Sequence, residues 1–292
     1  MRHAMLMALA IGAGAVHAEV RVTDDYGRDV VLAAPAHRVV SLAPHLTELL
    51  YAAGAGERLV GALAYSDYPP EAQNLPRVGS EAQIDLEAVV ALKPDLVVAW
   101  PQSGSTRAVE RIAALGIAVF RSEPRELEDI ARTMETLGRL TASEATATAA
   151  AHAFRARTAR LARHYASRPV VRAFYQVWDR PLITVNADHV ISKVMRLCGG
   201  ENVMADLPAI APAIDRERVL RADPEVIVAS GADGARPPWL DHWRAFPAMA
   251  AVRGGNLYAV RPELLQRHTP RILDGAEALC RIFEAVRTRR EP

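Results

Sequence analysis

The chain has 292 residues and a net charge of +1, and half of its residues are hydrophobic although only 5% are aromatic. This length exceeds the size at which a single core usually stops growing, so two domains are expected. The near-neutral charge argues against a nucleic-acid-binding surface. Only two of the 35 basic residues are lysines, an imbalance that a GC-rich genome explains better than phosphate recognition does.

Residues 1–18 have the pattern of a secretory signal peptide. Arg2 and His3 form a short basic start, residues 4–16 are apolar, and small residues precede a cleavage point near Ala18. The apolar run is too short to span a membrane, and no later run of about eighteen apolar residues follows it. No cysteine follows the signal to carry a lipid anchor. We therefore expect a free periplasmic protein that begins at Glu19.

The next part of the sequence predicts a lobe of alternating strands and helices, residues 19–125. A hairpin over residues 20–32 comes first. After it we predict strand 38–42, a loop with His45, helix 46–53, strand 59–63, a helix capped by Asp85, strand 96–99, helix 106–115 and strand 117–120. Strands that alternate with helices across short connections predict a mainly parallel sheet.

Residues 126–168 predict a helical linking segment, because they contain neither proline nor a strand pattern. Residues 142–167 are rich in alanine and have a charged face. An uninterrupted helix of about 26 residues would span roughly 40 Å at 1.5 Å per residue. One long helix between two lobes would allow them only small relative movements.

A second lobe, residues 169–292, repeats the first. Residues 84–99 align without a gap with residues 214–229, and seven positions are identical. The other elements predicted in this lobe are strand 170–177, a helix near 189–197, a short helix around 239–246, strand 256–260 and a closing helix over 270–288.

Each copy of the repeat carries an acidic residue two positions after an aspartate, Glu87 in the first and Glu217 in the second. The aspartate is placed to cap a helix, and a negative charge in the first turn suits the helix dipole. That role does not explain why both lobes present a glutamate at equivalent places. We predict that the two glutamates form a paired face for a two-fold membrane partner, where charge guides docking.

The two cysteines, Cys198 and Cys280, both lie in the second lobe. An exported pair can oxidise, and a disulfide would stabilise the fold by roughly 4 kcal/mol in the chain-entropy model. Two buried free thiols are the alternative. Neither cysteine has a cysteine or histidine neighbour at zinc-site spacing.

Candidate ligand-binding residues occur in the loops that follow the strands, where open α/β sheets hold their ligands. These loops carry His45, Tyr65, Tyr68, Trp100, Trp178 and residues 263–268. Aromatic faces with a few polar groups suit a large, flat, partly apolar ligand held between lobes.

Enzyme signatures are weak. The sequence has no Gly-x-Ser-x-Gly elbow, no His-Glu-x-x-His and no phosphate-binding glycine loop. His45, His189 and His268 lie in separate segments, so only the fold could bring them together as a metal site. We therefore predict no catalytic residue and no resident metal. A secreted metal-dependent hydrolase is the alternative from another class.

Several segments together resemble the class III substrate-binding proteins of ABC importers, which have a helical backbone and capture cobalamin, haem, ferric siderophores or metal ions. The resemblance covers essentially all of the mature chain. The segments that carry it are residues 38–44 with 47–49, 65–70, 86–97, 198–202 and 270–272. It implies two Rossmann-like lobes with mainly parallel sheets, joined by one long helix.

The loop Tyr-Ser-Asp-Tyr-Pro-Pro at residues 65–70, with both cysteines, is most similar to the cobalamin-binding members of the class. This likeness implies that a monomer captures a corrinoid in the cleft and delivers it to the permease and ATPase complex at the inner membrane. By matching position it implies ligand contacts from Tyr65, Trp100 and Arg267. It also implies a disulfide between Cys198 and Cys280, and docking through Glu87 and Glu217.

The chain departs from the cobalamin-binding members at three aromatic positions of the pocket, where it has Glu81, Ile183 and Ala211. Trp178 is placed to compensate for the lost rings, and His45 or Glu81 to bond amides of the ligand. The alternative is a haem or ferric-siderophore binder of the same architecture. In that case Tyr65, Tyr68 or His45 would ligate the iron.

Overall fold

The computed structural model describes residues 19–101, 105–231 and 236–290. The expected signal peptide at residues 1–18 and residues 102–104 of the loop after Trp100 lie outside this part of the chain. Within it, no helix is both long enough and apolar enough to cross a membrane.

The N-terminal lobe consists of an antiparallel hairpin and a four-stranded parallel sheet. Its strands are β1 (Val20–Thr23), β2 (Asp29–Leu32), β3 (Val39–Leu42), β4 (Leu59–Ala62), β5 (Leu96–Ala99) and β6 (Ala118–Arg121). Its helices are α1 (Pro44–Ala52), α2 (Leu86–Ala91) and α3 (Thr106–Ala114), with 3₁₀ helices at Gly56–Arg58 and Pro70–Asn74. The sheet has the order β4-β3-β5-β6, and all its pairs are parallel. β3 and β5 are buried along their whole length, as is usual where helices cover both faces.

The linking segment contains two helices, α4 (Leu127–Thr141) and α5 (Glu144–Tyr165). The predicted helix over residues 142–167 is therefore too long at both ends, since α5 has 22 residues. Ala142 adopts a left-handed conformation with φ of 54°. The backbone N–H of Ser143 turns back to donate to the carbonyl of Gly138 at 2.9 Å. This turn folds α4 and α5 into a helical hairpin.

The C-terminal lobe is a second parallel sheet with its own helices. Its strands are β7 (Val171–Gln176), β8 (Gly200–Asn202), β9 (Val226–Ser230) and β10 (Leu257–Val260). Its helices are α6 (Val190–Leu197), α7 (Arg216–Ala222), α8 (Ala250–Arg253), α9 (Pro262–Leu265) and α10 (Ile272–Arg290), with a 3₁₀ helix at Pro238–Ala245. The sequence pattern did not predict β8, α8 or α9, which are all four residues long or shorter.

The two lobes share one topology. The two parallel sheets have the strand orders β4-β3-β5-β6 and β8-β7-β9-β10. In each sheet the strand that comes first in the chain therefore lies between the second and the third. The repeated helices also begin in the same way. Asp85 Oδ1 accepts a hydrogen bond from the N–H of Ala88 at 2.9 Å, and Asp215 Oδ1 accepts one from Arg218 at 2.7 Å. The prediction of two similar α/β lobes is confirmed.

One large apolar cluster holds the lobes and the linking helices together. It includes residues of both sheets and of α1, α4, α5, α6 and α10, while each lobe has a smaller second cluster of its own. α5 contacts α1 in the first lobe and α6 and α10 in the second. A single long helix thus packs against both lobes, as the resemblance implied.

A disulfide joins Cys198, at the end of α6, to Cys280 in α10, with their Cα atoms 4.8 Å apart. Both residues are fully buried. The pairing implied by the resemblance is confirmed, and the alternative of two free thiols is wrong.

Candidate functional site between the two lobes

A cavity of about 630 Å³ lies between the lobes. One wall comes from the N-terminal lobe and contains Trp100, which follows β5, and Glu123 to Glu126, which follow β6. The other wall comes from the C-terminal lobe. It contains Asp188, His189, Val190, Lys193, Ile210, Ala211, Gln266 and His268. A ligand in this cavity would contact both lobes.

The position of Trp100 follows from the sheet order. β3 and β5 are parallel neighbours, and Leu42 pairs with Ala99 at their carboxyl ends. The residues that follow therefore emerge side by side at the point where the strand order reverses, which is the usual ligand site of open α/β sheets. The ring of His45 meets that of Trp100 edge-on, with centroids 5.1 Å apart.

His45 lies in the first turn of α1 and not in a loop, because the helix already begins at Pro44. Proline is favoured at the first helical position, because an N–H there would have no hydrogen-bond partner within the helix. The helix directs His45 inward, and only 4% of the residue is exposed. His45 therefore packs behind Trp100 and does not line the cavity wall.

Three histidines from separate segments lie close together, and two of them, His189 and His268, line the cavity. The ring centroid of His268 lies 6.0 Å from that of His45, 6.3 Å from that of His189 and 6.3 Å from that of Trp100. His189 also caps α6, since its Nδ1 accepts the backbone N–H of Ile191 at 3.1 Å. Among the residues that the structure describes, no group of three His, Cys, Asp or Glu side chains is arranged to hold a metal ion. The rings are neighbours but do not form a chelate.

Burial keeps these imidazoles neutral. It lowers the pKa of His268 to about 4. Burial, followed by the charge of His268, lowers the pKa of His189 to about 4 as well. The pKa of His45 falls well below its ordinary value, first through burial and then through the charges of His268 and Arg267. At neutral pH the cavity therefore offers uncharged rings.

Arg267 joins the two lobes through acidic partners. Its guanidinium donates to Glu48 Oε1 at 3.0 Å, to Asp67 Oδ1 at 2.6 Å and to the carbonyl oxygen of Tyr65 at 3.1 Å. Burial lowers the pKa of Arg267, but the bonds to Asp67 and Glu48 outweigh it and raise this pKa. Arg271 donates to both carboxylate oxygens of Glu48, at 2.7 and 2.9 Å. These contacts form an interlobe ion cluster of Glu48, Asp67, Arg267 and Arg271.

Three other predicted ligand residues lie outside the cavity wall. Tyr65 is 79% exposed and Trp178 is 56% exposed, with its Nε1 bonded to the carbonyl of Arg180 at 3.1 Å. Glu81 is exposed in a turn that backbone bonds between Ser80 and Gln83 close. Only a ligand that extends beyond the cavity could contact these side chains.

Sequence reasoning missed several residues of the site, among them Lys193, whereas Gln266 lay within the predicted loop of residues 263–268. Lys193 reaches across the cleft, and its Nζ lies 2.6 Å from Glu126 Oε1. Gln266 donates to Ser230 Oγ at 2.6 Å. One signal was visible in the sequence, because Lys193 is one of only two lysines in an arginine-rich chain.

The two glutamates of the repeat lie on the outer surface of their lobes. Glu87 and Glu217 occupy the first turns of α2 and α7, and both are exposed. Within residues 19–101, 105–231 and 236–290, neither carboxylate has an ion-pair partner. Both charges are therefore available to a partner protein.

Comparison with known proteins decides the class. Residues 39–264 match the periplasmic binding protein family. The chain belongs to this family. It is 40% identical over 247 residues to the vitamin B12-binding protein of Vibrio cholerae serotype O1 (strain ATCC 39541), which covers 84% of this chain and 88% of that protein. It is 38% identical over 255 residues to the protein of the same name from Yersinia pseudotuberculosis serotype O:3, covering 87% and 88% of the two chains.

Solved structures agree with this family. The crystal structure of the periplasmic vitamin B12 binding protein BtuF of Vibrio cholerae superposes with a TM-score of 0.79 and 38% identity, over 88% of this chain and 99% of that one. A periplasmic heme binding protein from Pseudomonas aeruginosa gives 0.74 and 24% identity, over 84% and 91%. At 24% identity, the similarity to the heme binding protein shows only that the two chains share a fold. The resemblance stated from the sequence is confirmed.

Proposed function

We propose that this chain captures a corrinoid in the interlobe cavity and delivers it to an ABC importer in the inner membrane. The observation that carries the proposal is the 40% identity, across 84% of the chain, to a vitamin B12-binding protein. The cavity supports it, because it lies between the lobes and combines aromatic and aliphatic side chains with polar groups that could orient a large organic ligand.

The macrocycle would pack against the apolar part of the cavity wall, which includes Trp100, Pro124, Val190, Ile210 and Ala211. The side groups of a corrinoid would extend past this wall. There Tyr65 and Trp178 offer exposed aromatic surface, and Arg267 and Glu81 offer polar groups to the amides. Arg267 already bonds the carbonyl of Tyr65, so it can hold that loop and a ligand amide together.

Delivery would use the outer surface of the lobes. We propose that Glu87 and Glu217 meet basic residues of the two permease subunits, one glutamate on each. Each glutamate lies in the first turn of an equivalent helix on a lobe of the same topology, which supports a paired role for the two charges. Exposed charges of this kind mainly guide encounter and orientation.

Export follows from the proposed signal peptide. A mature, monomeric protein in the periplasm would begin at Glu19. Mass spectrometry of protein purified from the periplasm tests this point, and a chain that still contains residues 1–18 would contradict it.

An absorption titration with cyanocobalamin, cobinamide and haemin tests the ligand class. We expect saturable binding of the corrinoids with one site per chain. Saturable binding of haemin alone would contradict the proposal.

Haem is the second candidate, and one observation favours it: histidine is a common axial ligand of haem iron, and His268 lines the cavity. The tyrosines proposed for iron are placed less well. Tyr65 is mostly exposed, and the guanidinium of Arg271 lies 3.7 Å from the ring centre of Tyr68.

A further inference from the structure

The three histidines at the cavity differ in what they can bind. His189 uses Nδ1 to accept the N–H of Ile191, so the proton of its neutral ring is on Nε2, and neither nitrogen offers a free lone pair. His45 is 4% exposed and does not line the cavity. His268 lines the cavity, and the contacts of its ring with described residues are those with the rings of His45, Trp100 and His189. His45 Nε2 has no hydrogen-bond partner among the described residues but is buried away from the cavity wall, so His268 is the histidine that a ligand in the cavity could reach.

A neutral imidazole is the form that ligates metals. His268 would bind a metal through a ring nitrogen that carries no proton.

One histidine does not make a site for a free metal ion. The described residues contain no cluster of three metal-ligating side chains, and a protein normally needs three or four to hold a transition metal. A corrin or porphyrin differs, because the macrocycle already supplies four in-plane nitrogens. A single imidazole can then complete the coordination at an axial position.

Apolar side chains share the cavity wall with His268. Ala211 and Ile210 face the cavity on the wall that holds His268. Neither side chain would compete with an imidazole for the metal. Trp100, with its ring centroid 6.3 Å from that of His268, supplies an aromatic surface beside it.

We propose that His268 is an axial ligand to the metal of the bound macrocycle, and that the chain therefore prefers corrinoids with an open axial position. The inference rests on the proposed function. The step is a ligand exchange, in which a ring nitrogen of His268 forms a bond to cobalt and a bound water leaves. Cobalt keeps its oxidation state. Cyanocobalamin, whose two axial positions are filled by cyanide and its own nucleotide base, would bind without this bond.

Absorption spectra of the purified protein with diaquacobinamide test the proposal. We expect the spectrum of the wild-type complex to match that of cobinamide with free imidazole. His268→Ala should give the water-ligated spectrum and lose affinity for diaquacobinamide by at least about tenfold more than for cyanocobalamin, since metal affinity falls by such factors even when only the support of a ligand is lost. Binding of cyanocobalamin by His268→Ala with the wild-type affinity would show that the variant is folded, because that ligand needs no bond from His268.

Two further variants test which histidine forms the bond to cobalt. His152→Ala removes an exposed histidine of α5 and should keep the wild-type spectrum. If His189→Ala, and not His268→Ala, abolishes the imidazole-ligated spectrum, the assignment to His268 is overturned.

The remaining outcomes separate the inference from the proposed function. A wild-type complex that binds both corrinoids but keeps a water-ligated cobalt would overturn the inference and leave corrinoid capture intact. Binding of haemin without either corrinoid would overturn the proposed function.

Discussion

The two lobes have the same strand order and the same aspartate-capped helices, but they end their third strands differently. In the N-terminal lobe β5 is followed by Trp100, which forms part of the cavity wall. In the C-terminal lobe the equivalent strand, β9, ends at Ser230, whose hydroxyl bonds to Tyr175 and Gln266. The repeat thus preserves the scaffold and its outer charges, while the strand ends that face the cleft have diverged.

The lobes also differ in how they are held together. Only the C-terminal lobe contains cysteines, and its disulfide ties α6 to α10. The interlobe ion cluster then connects the start of α10 to α1 of the other lobe. The stability of the protein therefore depends on the disulfide and on the interlobe ion cluster, and each can be removed by mutation without the other.

Removing the disulfide should have the largest effect on the unfolding free energy. We expect the double variant Cys198→Ala and Cys280→Ala to lose about 4 kcal/mol of unfolding free energy, because the unfolded chain regains the entropy of an open loop. Urea denaturation of the oxidised wild type and the variant measures this loss. A reductant should shift the wild-type midpoint toward that of the variant and leave the variant unchanged. Equal midpoints for the two oxidised proteins would contradict this account.

Disrupting the interlobe ion cluster should lower the unfolding free energy by a smaller amount. The side chain of Glu48 is 2% exposed, and Glu48→Gln would leave Arg267 and Arg271 without their shared carboxylate. Loss of one partner of a buried ion pair costs roughly 3 kcal/mol. The matched control is Glu87→Gln, an exposed glutamate of the same lobe, for which we expect a change within about 0.5 kcal/mol. Thermal melts that show similar stability for both variants would rule out a structural role for the ion cluster.

Local signals in the sequence predicted the scaffold well. Strand 96–99 has the bounds of β5, and Asp85 was recognised as a cap because these features depend on neighbouring residues. The linking helix was predicted too long, since nothing in its alanine-rich pattern marks the left-handed turn at Ala142.

The cavity could be predicted only in part. Trp100 was found because it directly follows a strand. The meeting of His45, His189 and His268, and the pairing of Glu48 with Arg271 across 223 positions, depend on the sheet order and on the packing of one lobe against the other. No spacing along the chain encodes such contacts.

A smaller effect is expected in the linking helices. Arg155 of α5 pairs with Glu128 and Glu135 of α4, and all three side chains are at least partly exposed. Arg155→Met should therefore cost about 1 kcal/mol or less. The bond to Arg155 lowers the pKa of Glu135 below its ordinary value of 4.5, so this contribution is present above pH 4.5 and is lost as the pH falls below it. Urea denaturation at pH 7 and pH 3.5 should show a smaller difference between wild type and variant at the lower pH, and an equal difference would contradict the assignment.

The smallest effect on stability is expected at the two docking glutamates. Glu87→Arg and Glu217→Arg change exposed charges, so each should alter the unfolding free energy by less than about 0.5 kcal/mol. Both should nevertheless slow corrinoid uptake by a reconstituted importer. If the lobes dock as an equivalent pair, the two single variants should be impaired similarly and the double variant more strongly. Normal uptake with either single variant would show that the lobes do not share this role.

Isothermal titration calorimetry of the purified wild-type protein with cyanocobalamin tests corrinoid capture most directly. We expect saturable binding with one ligand per chain. Absence of binding to cyanocobalamin and cobinamide, together with saturable binding of haemin, would contradict the central claim.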